Sequence, residues 1–197
     1  LGNYRRTGET TAIKGGKRSD GNGAIMRLAA VPCMHWQNVE KARSIAIAQS
    51  QCTHHSPLSE GCCDLMTFIL CQLISGKIWE QILPYPNKNN WLEEVSLLSS
   101  CNWRDKSEEE VQSTGYVIHT LEAALWCVDT TNSFQDAVLR AVNLGEDADT
   151  VGAVTGQIAG ARYGIESIPD EWLSELVDQP RIKTIAEIIF NRSLDLV

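Results

Sequence analysis

Apolar positions recur at three- and four-residue spacing from about residue 24 to the end of the chain, and this is the period of helices with one buried face. A short helix is predicted from Ala24, ended by Pro32. Asn38 caps the next, which runs to about Gln51 and carries Val39, Ala42, Ile45 and Ala46 on one side. Residues 58–75 predict a third, with Cys62, Leu65, Met66, Ile69, Leu70 and Leu73 as its stripe and Gly76 as its stop. Short helical pieces over 77–83 and 91–99 flank the turn residues Pro84, Tyr85, Pro86 and Asn87. Ser107 and Glu110 have capping-box spacing. Longer helices are predicted over 114–128 and from Ser133 to Gly145, followed by helices at 149–163, 169–177 and 181–193, with Pro169 and Pro180 as starters. No alternating run rich in Val, Ile and Thr has useful length, so the fold class is all-α. Residues 1–23, with six glycines and no surviving period, are expected to be loop-like.

One helix departs from ordinary composition. Gly152, Gly156, Gly160 and Gly164 recur every fourth residue. An internal glycine costs about 1 kcal/mol against alanine. A bare helix face that lets a neighbour approach closely would offset this, so the helix is expected to be central and tightly packed.

Composition then narrows the class. A chain of 197 residues suits a single domain over 1–197, and 43% apolar content excludes ordinary disorder. The net charge of −8 argues against nucleic acid as a general partner. No apolar run approaches the roughly 20 residues of a membrane-spanning helix, so no membrane association is expected. The seven cysteines, odd in number and without a C-x-x-C pair, read as free thiols in a reducing cytoplasm.

Two segments carry candidate chemistry. Gly145–Thr150 places Asp147, Asp149 and Thr150 at a turn before the glycine-rich helix. Two carboxylates and a hydroxyl are hard oxygen donors suited to Mg²⁺ or Ca²⁺. The same residues also serve an ordinary helix start, with Asp149 as cap and Asp147 favoured by the dipole. An EF-hand is excluded, because Val151 and Ile158 stand where the loop needs oxygen ligands. The second segment is Ser19–Arg27, where Asp20, Gly21, Asn22 and Gly23 precede a helix start and Lys14, Lys17 and Arg18 lie just upstream. Such a loop either presents backbone N–H groups to a phosphate or is simply a mobile loop. It is neither a Walker A loop nor a dinucleotide fingerprint. His54 lies in a polar turn where it meets a ligand or only solvent, and Tyr116 opens a helix where its ring lines a pocket or packs.

Five motifs then occur in order: Gly21–Arg27, Thr53-His54, Gly115–Ala123, Asn143–Ala153 and Ile168–Trp172. Together, over residues 19–178, they resemble the ADP-ribosylglycohydrolase family, nearest its dinitrogenase-reductase-activating type. The resemblance implies a compact multi-helix orthogonal bundle around two Mg²⁺ or Mn²⁺ ions. It implies hydrolysis of the glycosidic bond between ADP-ribose and a protein side chain, often arginine, so the expected partner is an ADP-ribosylated protein or a small ADP-ribose conjugate. Asp147, Asp149 and Thr150 match metal ligands, Gly21, Asn22 and Gly23 match the loop near the phosphates and ribose, and His54 and Tyr116 match residues lining the cleft; Asp20 is grouped with them. The family also has an N-terminal part with a catalytic Glu and a Thr-Asp-Asp triplet, and no Thr-Asp-Asp occurs in this sequence. The chain therefore looks like the C-terminal two-thirds of such a protein, with the general base and half of the metal shell in the missing N-terminal part. Impaired activity is expected of it alone. The alternative is a non-catalytic ADP-ribose-binding module or a structural relative.

Overall fold

The computed structural model describes residues 2–15, 19–85 and 91–196. Its helices are α1 (Gly2–Thr7), α2 (Gly23–Met26), α3 (Ala30–His35), α4 (Val39–Gln51), α5 (Pro57–Ile74), α6 (Glu93–Ser99), α7 (Val117–Asp129), α8 (Phe134–Asn143), α9 (Ala148–Tyr163), α10 (Asp170–Glu175) and α11 (Gln179–Leu194). No strand occurs among the described residues, and the nearest thing to one is an isolated antiparallel bridge between Gly21 and Tyr116. The fold is all-α, as the spacing of apolar residues requires.

Helices α5, α7 and α9 form the centre, with α4 against α5 and α8 against α9. α5 starts at Pro57, behind Ser56, whose hydroxyl accepts from the Ser59 N–H at 3.2 Å. Cys62, Leu65, Met66 and Ile69 on this helix have no exposed surface. By length and composition α5 is apolar enough to cross a membrane, contrary to the sequence expectation, but 72% of it is buried among the other helices. Its apolarity is accounted for by its central place.

Local rules explain most boundaries. Asn38 caps α4 by accepting from the Lys41 N–H at 3.0 Å, and Ser133 caps α8 by accepting from the Asp136 N–H at 3.0 Å. Ser107 and Glu110 form the reciprocal capping box, around a 3₁₀ turn at Glu108–Glu110. Three expectations fail locally. Residues 1–23 are not loop throughout, because Gly2–Thr7 is helical. Pro32 does not end a helix but sits in the first turn of α3, where its missing N–H has no intrahelical partner to lose. Asp147, not Asp149, stands at the cap position of α9, and its side chain makes no cap hydrogen bond. Pro86 and Asn87 of the expected turn, and Lys17 and Arg18 of the basic lead-in, lie outside the described residues.

The glycine stripe of α9 is only partly a packing device. A Cβ on Gly152 would stand 2.9 Å from Val142 Cγ1 on α8, so that glycine permits a close approach. Gly160 faces Phe134 at 3.9 Å, and Gly156 has nothing within 4 Å. Gly156→Ala is therefore expected to stabilise the chain by about 1 kcal/mol, raising the melting temperature by roughly 2–4 °C. Gly152→Ala should move it the other way. A thermal melt of both variants checks this, and equal shifts would contradict the distinction.

Candidate functional site

The segment 19–23 is stapled to the start of α7. Val117 N–H donates to Asp20 O at 2.9 Å and Asn22 N–H donates to Gly115 O at 3.2 Å, which makes the Gly21–Tyr116 bridge. From the other side the Ser59 hydroxyl of α5 donates to Ser19 O at 2.8 Å. The loop is thus fixed by three hydrogen bonds, two to the residues that open α7 and one to α5. A segment held in this way is a platform rather than a mobile arm.

Asn22 joins this platform to the acidic turn. Its side chain is buried, and Nδ2 donates both to Thr120 Oγ1 at 2.9 Å and to Asp147 Oδ2 at 2.6 Å. The turn that delivers Asp147 uses two left-handed residues, Gly145 at φ +79° and Glu146 at φ +48°. Glycine adopts that conformation freely, whereas Glu146 does so at a cost of order 1 kcal/mol. Ser113 holds the turn down: its hydroxyl donates to Gly145 O at 3.0 Å, and its carbonyl accepts from the Asp147 N–H at 3.0 Å.

Asp147 and Thr150 meet, with the Thr150 hydroxyl 3.1 Å from Asp147 Oδ1. Thr150 is buried and Asp149, one position before it, is exposed. The first turn of α9 therefore offers two carboxylates and an alcohol. Its carboxylate end is fixed by Asn22, and the Thr150 hydroxyl has two acceptors within reach, Asp147 Oδ1 at 3.1 Å and Met26 Sδ at 3.6 Å. Such a donor set is hard and suits Mg²⁺ or Ca²⁺ rather than zinc. Among the described residues no three His, Cys, Asp or Glu side chains converge as a metal-holding group. The set fits a partial shell.

His54 and Tyr116 flank the glycine platform. A Cβ on Gly23 would lie 2.7 Å from His54 Cε1, so the imidazole rests against bare backbone and a larger residue there would displace the ring. Burial, and then the charge of Arg27, hold the His54 pKa below its ordinary value. The Tyr116 ring stands edge-on to His119 with centroids 4.9 Å apart. Burial raises its phenol pKa, as do the nearby carboxylates of Glu94 and Asp20.

The structure thus brings Asp20, Gly21, Asn22, Gly23, His54, Tyr116, Asp147 and Thr150 into one connected region, with Asp149 on its exposed edge. Sequence reasoning missed Thr120, which shares Asn22 with Asp147. Its signal was its place one helical turn after Tyr116 in a motif already singled out. Arg27 was noted only as part of a motif, yet its guanidinium reaches Gly23 O at 2.9 Å and Thr53 Oγ1 at 2.7 Å.

Comparison with known proteins follows the same lines. The family model for ADP-ribosylglycohydrolase matches residues 1–195, wider than the motif-bearing span. An ADP-ribosylarginine hydrolase of Serratia proteamaculans is 42% identical over 175 residues, covering 86% of this chain and 46% of that protein. The ADP-ribosyl-[dinitrogen reductase] glycohydrolase of Rhodospirillum rubrum is 32% identical over 175 residues, covering 88% of this chain and 56% of its own length. The chain spans about half the length of the curated relatives it matches. A solved structure described as an ADP-ribosylglycohydrolase-related protein complex superposes with a TM-score of 0.88 at 30% identity, covering 98% of this chain and 66% of that one. On the family match along almost its whole length, and on the fold it shares, the chain belongs to the ADP-ribosylglycohydrolase family.

Proposed function

We propose that this chain supplies part of a site that hydrolyses the glycosidic bond between ADP-ribose and a protein side chain, arginine being favoured by the nature of its relatives. The observation that carries the reading is the 2.6 Å bond from Asn22 to Asp147, which locks a glycine-rich ligand platform to an acidic turn. Asp147, Asp149 and Thr150 would hold Mg²⁺ or Mn²⁺, in a site for two such ions. A divalent ion there supplies electrophilic grip on ribose hydroxyls and an acidified water. The chain's own residues do the rest of the positioning. Gly21 and Gly23 let a ligand approach the backbone, with Asp20 at the edge of that platform. His54 and Tyr116 bound it on two sides, and Asn22 keeps platform and acidic turn in register. Remote contacts of this kind orient the reacting bond.

The proposal places the general base and the remaining metal ligands outside this sequence, so the chain alone has impaired turnover. The seven free thiols support a cytoplasmic setting. A non-catalytic ADP-ribose-binding module is the second reading, and the absence of a Thr-Asp-Asp triplet from the sequence favours it for the chain taken alone. Calorimetric titration of the chain with ADP-ribose, with and without Mg²⁺, tests both readings, together with an assay for release of ADP-ribose from ADP-ribosylarginine. Mg²⁺-dependent binding with little release is expected. Brisk release would overturn the impairment, and no binding under either condition would overturn the site.

A further inference from the structure

Arg27, just after α2, ties the glycine platform to the end of α4. Its Nη1 donates to Gly23 O at 2.9 Å, its Nε to Gln49 Oε1 at 2.9 Å, and its Nη2 to Gln49 O at 3.0 Å and Thr53 Oγ1 at 2.7 Å. Thr53 Oγ1 in turn lies 2.7 Å from His54 Nδ1. The backbone of His54 is held separately by Ser50, whose carbonyl accepts its N–H at 2.7 Å and whose hydroxyl donates to its carbonyl at 3.0 Å. The far edge of the ring, bearing Nε2, lies over Gly23, with Nε2 3.2 Å from the place a Cβ would occupy there.

The proton on the imidazole follows from donor and acceptor counting. A guanidinium only donates, so Thr53 Oγ1 accepts from Arg27. The hydroxyl has one proton of its own, and a hydroxyl polarised by a cation is a stronger donor and a weaker acceptor. The polarised hydroxyl is thus better used as donor to His54 Nδ1 than as a second-time acceptor from it, which leaves Nδ1 unprotonated and the ring's hydrogen on Nε2. We infer that Arg27 and Thr53 are positioning residues that fix His54 as its Nε2–H tautomer and thereby give the glycine platform a neutral, aimed hydrogen-bond donor for an oxygen of the bound ligand. Burial and the Arg27 charge, which both disfavour the imidazolium, act in the same direction. The tautomer stands on the hydrogen bonds alone; its use toward a ligand rests on the reading of the Gly21–Gly23 loop as a binding platform.

The test is the ring ¹⁵N spectrum of the histidine-labelled full chain above neutral pH, with the His54 signals identified by their loss in His54→Gln. In the wild-type chain and in Thr53→Ser, Nδ1 should show an unprotonated shift and Nε2 a protonated one. In Thr53→Val, which removes the donor at an exposed position, the two shifts should move toward averaged values. ADP-ribose affinity should fall about tenfold in Thr53→Val and return in Thr53→Ser. A tautomer bias as strong in Thr53→Val as in the wild-type chain, or a wild-type bias no stronger than that of free histidine, overturns the inference even if ADP-ribose binds well. The expected bias, lost in Thr53→Val, in a chain that binds no ADP-ribose supports the relay and overturns the proposed function instead.

Discussion

Asp64→Ala is expected to cost about 3–5 kcal/mol of stability, a fall in melting temperature on the order of 10 °C for a chain of this size. Asp64 and Arg43 are each 4% exposed, in the middle of the α4–α5 interface. Arg43 Nη2 donates to Asp64 Oδ2 at 2.9 Å while its Nε engages Oδ1, a two-pronged pair. The Trp91 indole also donates to Oδ2, at 2.7 Å, and the guanidinium sits 6.0 Å from the Tyr85 ring and 5.9 Å from the Trp91 ring. Truncating the carboxylate leaves the guanidinium in a place with little water, faced only by the exposed Glu40 carboxylate at 3.4 Å, and that poorly compensated charge is the main cost. Replacing both partners, as in Arg43→Met with Asp64→Leu, removes both charges and should recover much of the loss. A competing effect is visible: a cavity of about 540 Å³ lined by Glu40, Arg43, Glu60, Asp64 and Trp91 adjoins the pair. If water entering there screens the charges, the loss in Asp64→Ala will be under about 1 kcal/mol, as at exposed pairs. Urea unfolding of the two single variants and the double variant decides between these outcomes.

That ion pair also marks where sequence reading stops. Helices were legible because their boundary signals are local: Asn38 and Ser133 accept from N–H groups three residues on, and the apolar stripe of α5 needs no partner to be recognised. Asp64 lies beside that stripe and nothing near it in sequence discloses Arg43, 21 residues away. The same holds for Lys106 and Glu122, whose contact at 2.6 Å partners the buried carboxylate that α7 carries. In α1 and at Pro32, local rules for breakers pointed to loop or stop, and the position of the residue within the first helical turn decided otherwise.

The candidate site divides in the same way. Asp147, Asp149 and Thr150 were legible because an oxygen-rich turn before a helix is a short-range pattern, and Gly21–Gly23 because bare backbone is visible as letters. Their connection was not legible. It runs through Asn22, which reaches Thr120 across 98 residues and Asp147 across 125, separations no local rule spans. Gly156 shows the converse error. A regular spacing of glycines suggested uniform close packing, but whether a Cβ is excluded depends on the neighbouring helix at each position.

Asp149→Ala is expected to lower Mg²⁺ or Mn²⁺ affinity about a hundredfold while leaving the metal-free chain nearly as stable as before. Losing a supporting group around a metal already costs 10–100-fold, so losing a carboxylate in the proposed ligand role should reach at least the upper part of that range. Asp149 is exposed, and its structural role as an acidic residue in the first turn of α9 is worth only about 0.3–1 kcal/mol. Asp147→Ala should weaken metal binding as much, but with a different signature. It removes the acceptor for Asn22 Nδ2 and for Thr150 Oγ1, so the metal-free chain should also lose about 1–3 kcal/mol. The pair of variants separates a metal role from a folding role: Asp149 tests the ion with the scaffold intact, and Asp147 tests both together. Metal titration followed by calorimetry, with thermal melts in chelator and in excess Mn²⁺, reads both quantities. A stabilisation of the wild-type chain by Mn²⁺ that vanishes in Asp149→Ala is the expected pattern. Equal metal affinity in the wild-type chain and both variants would mean that the acidic turn only starts a helix, and the proposed hydrolytic role would lose its metal centre.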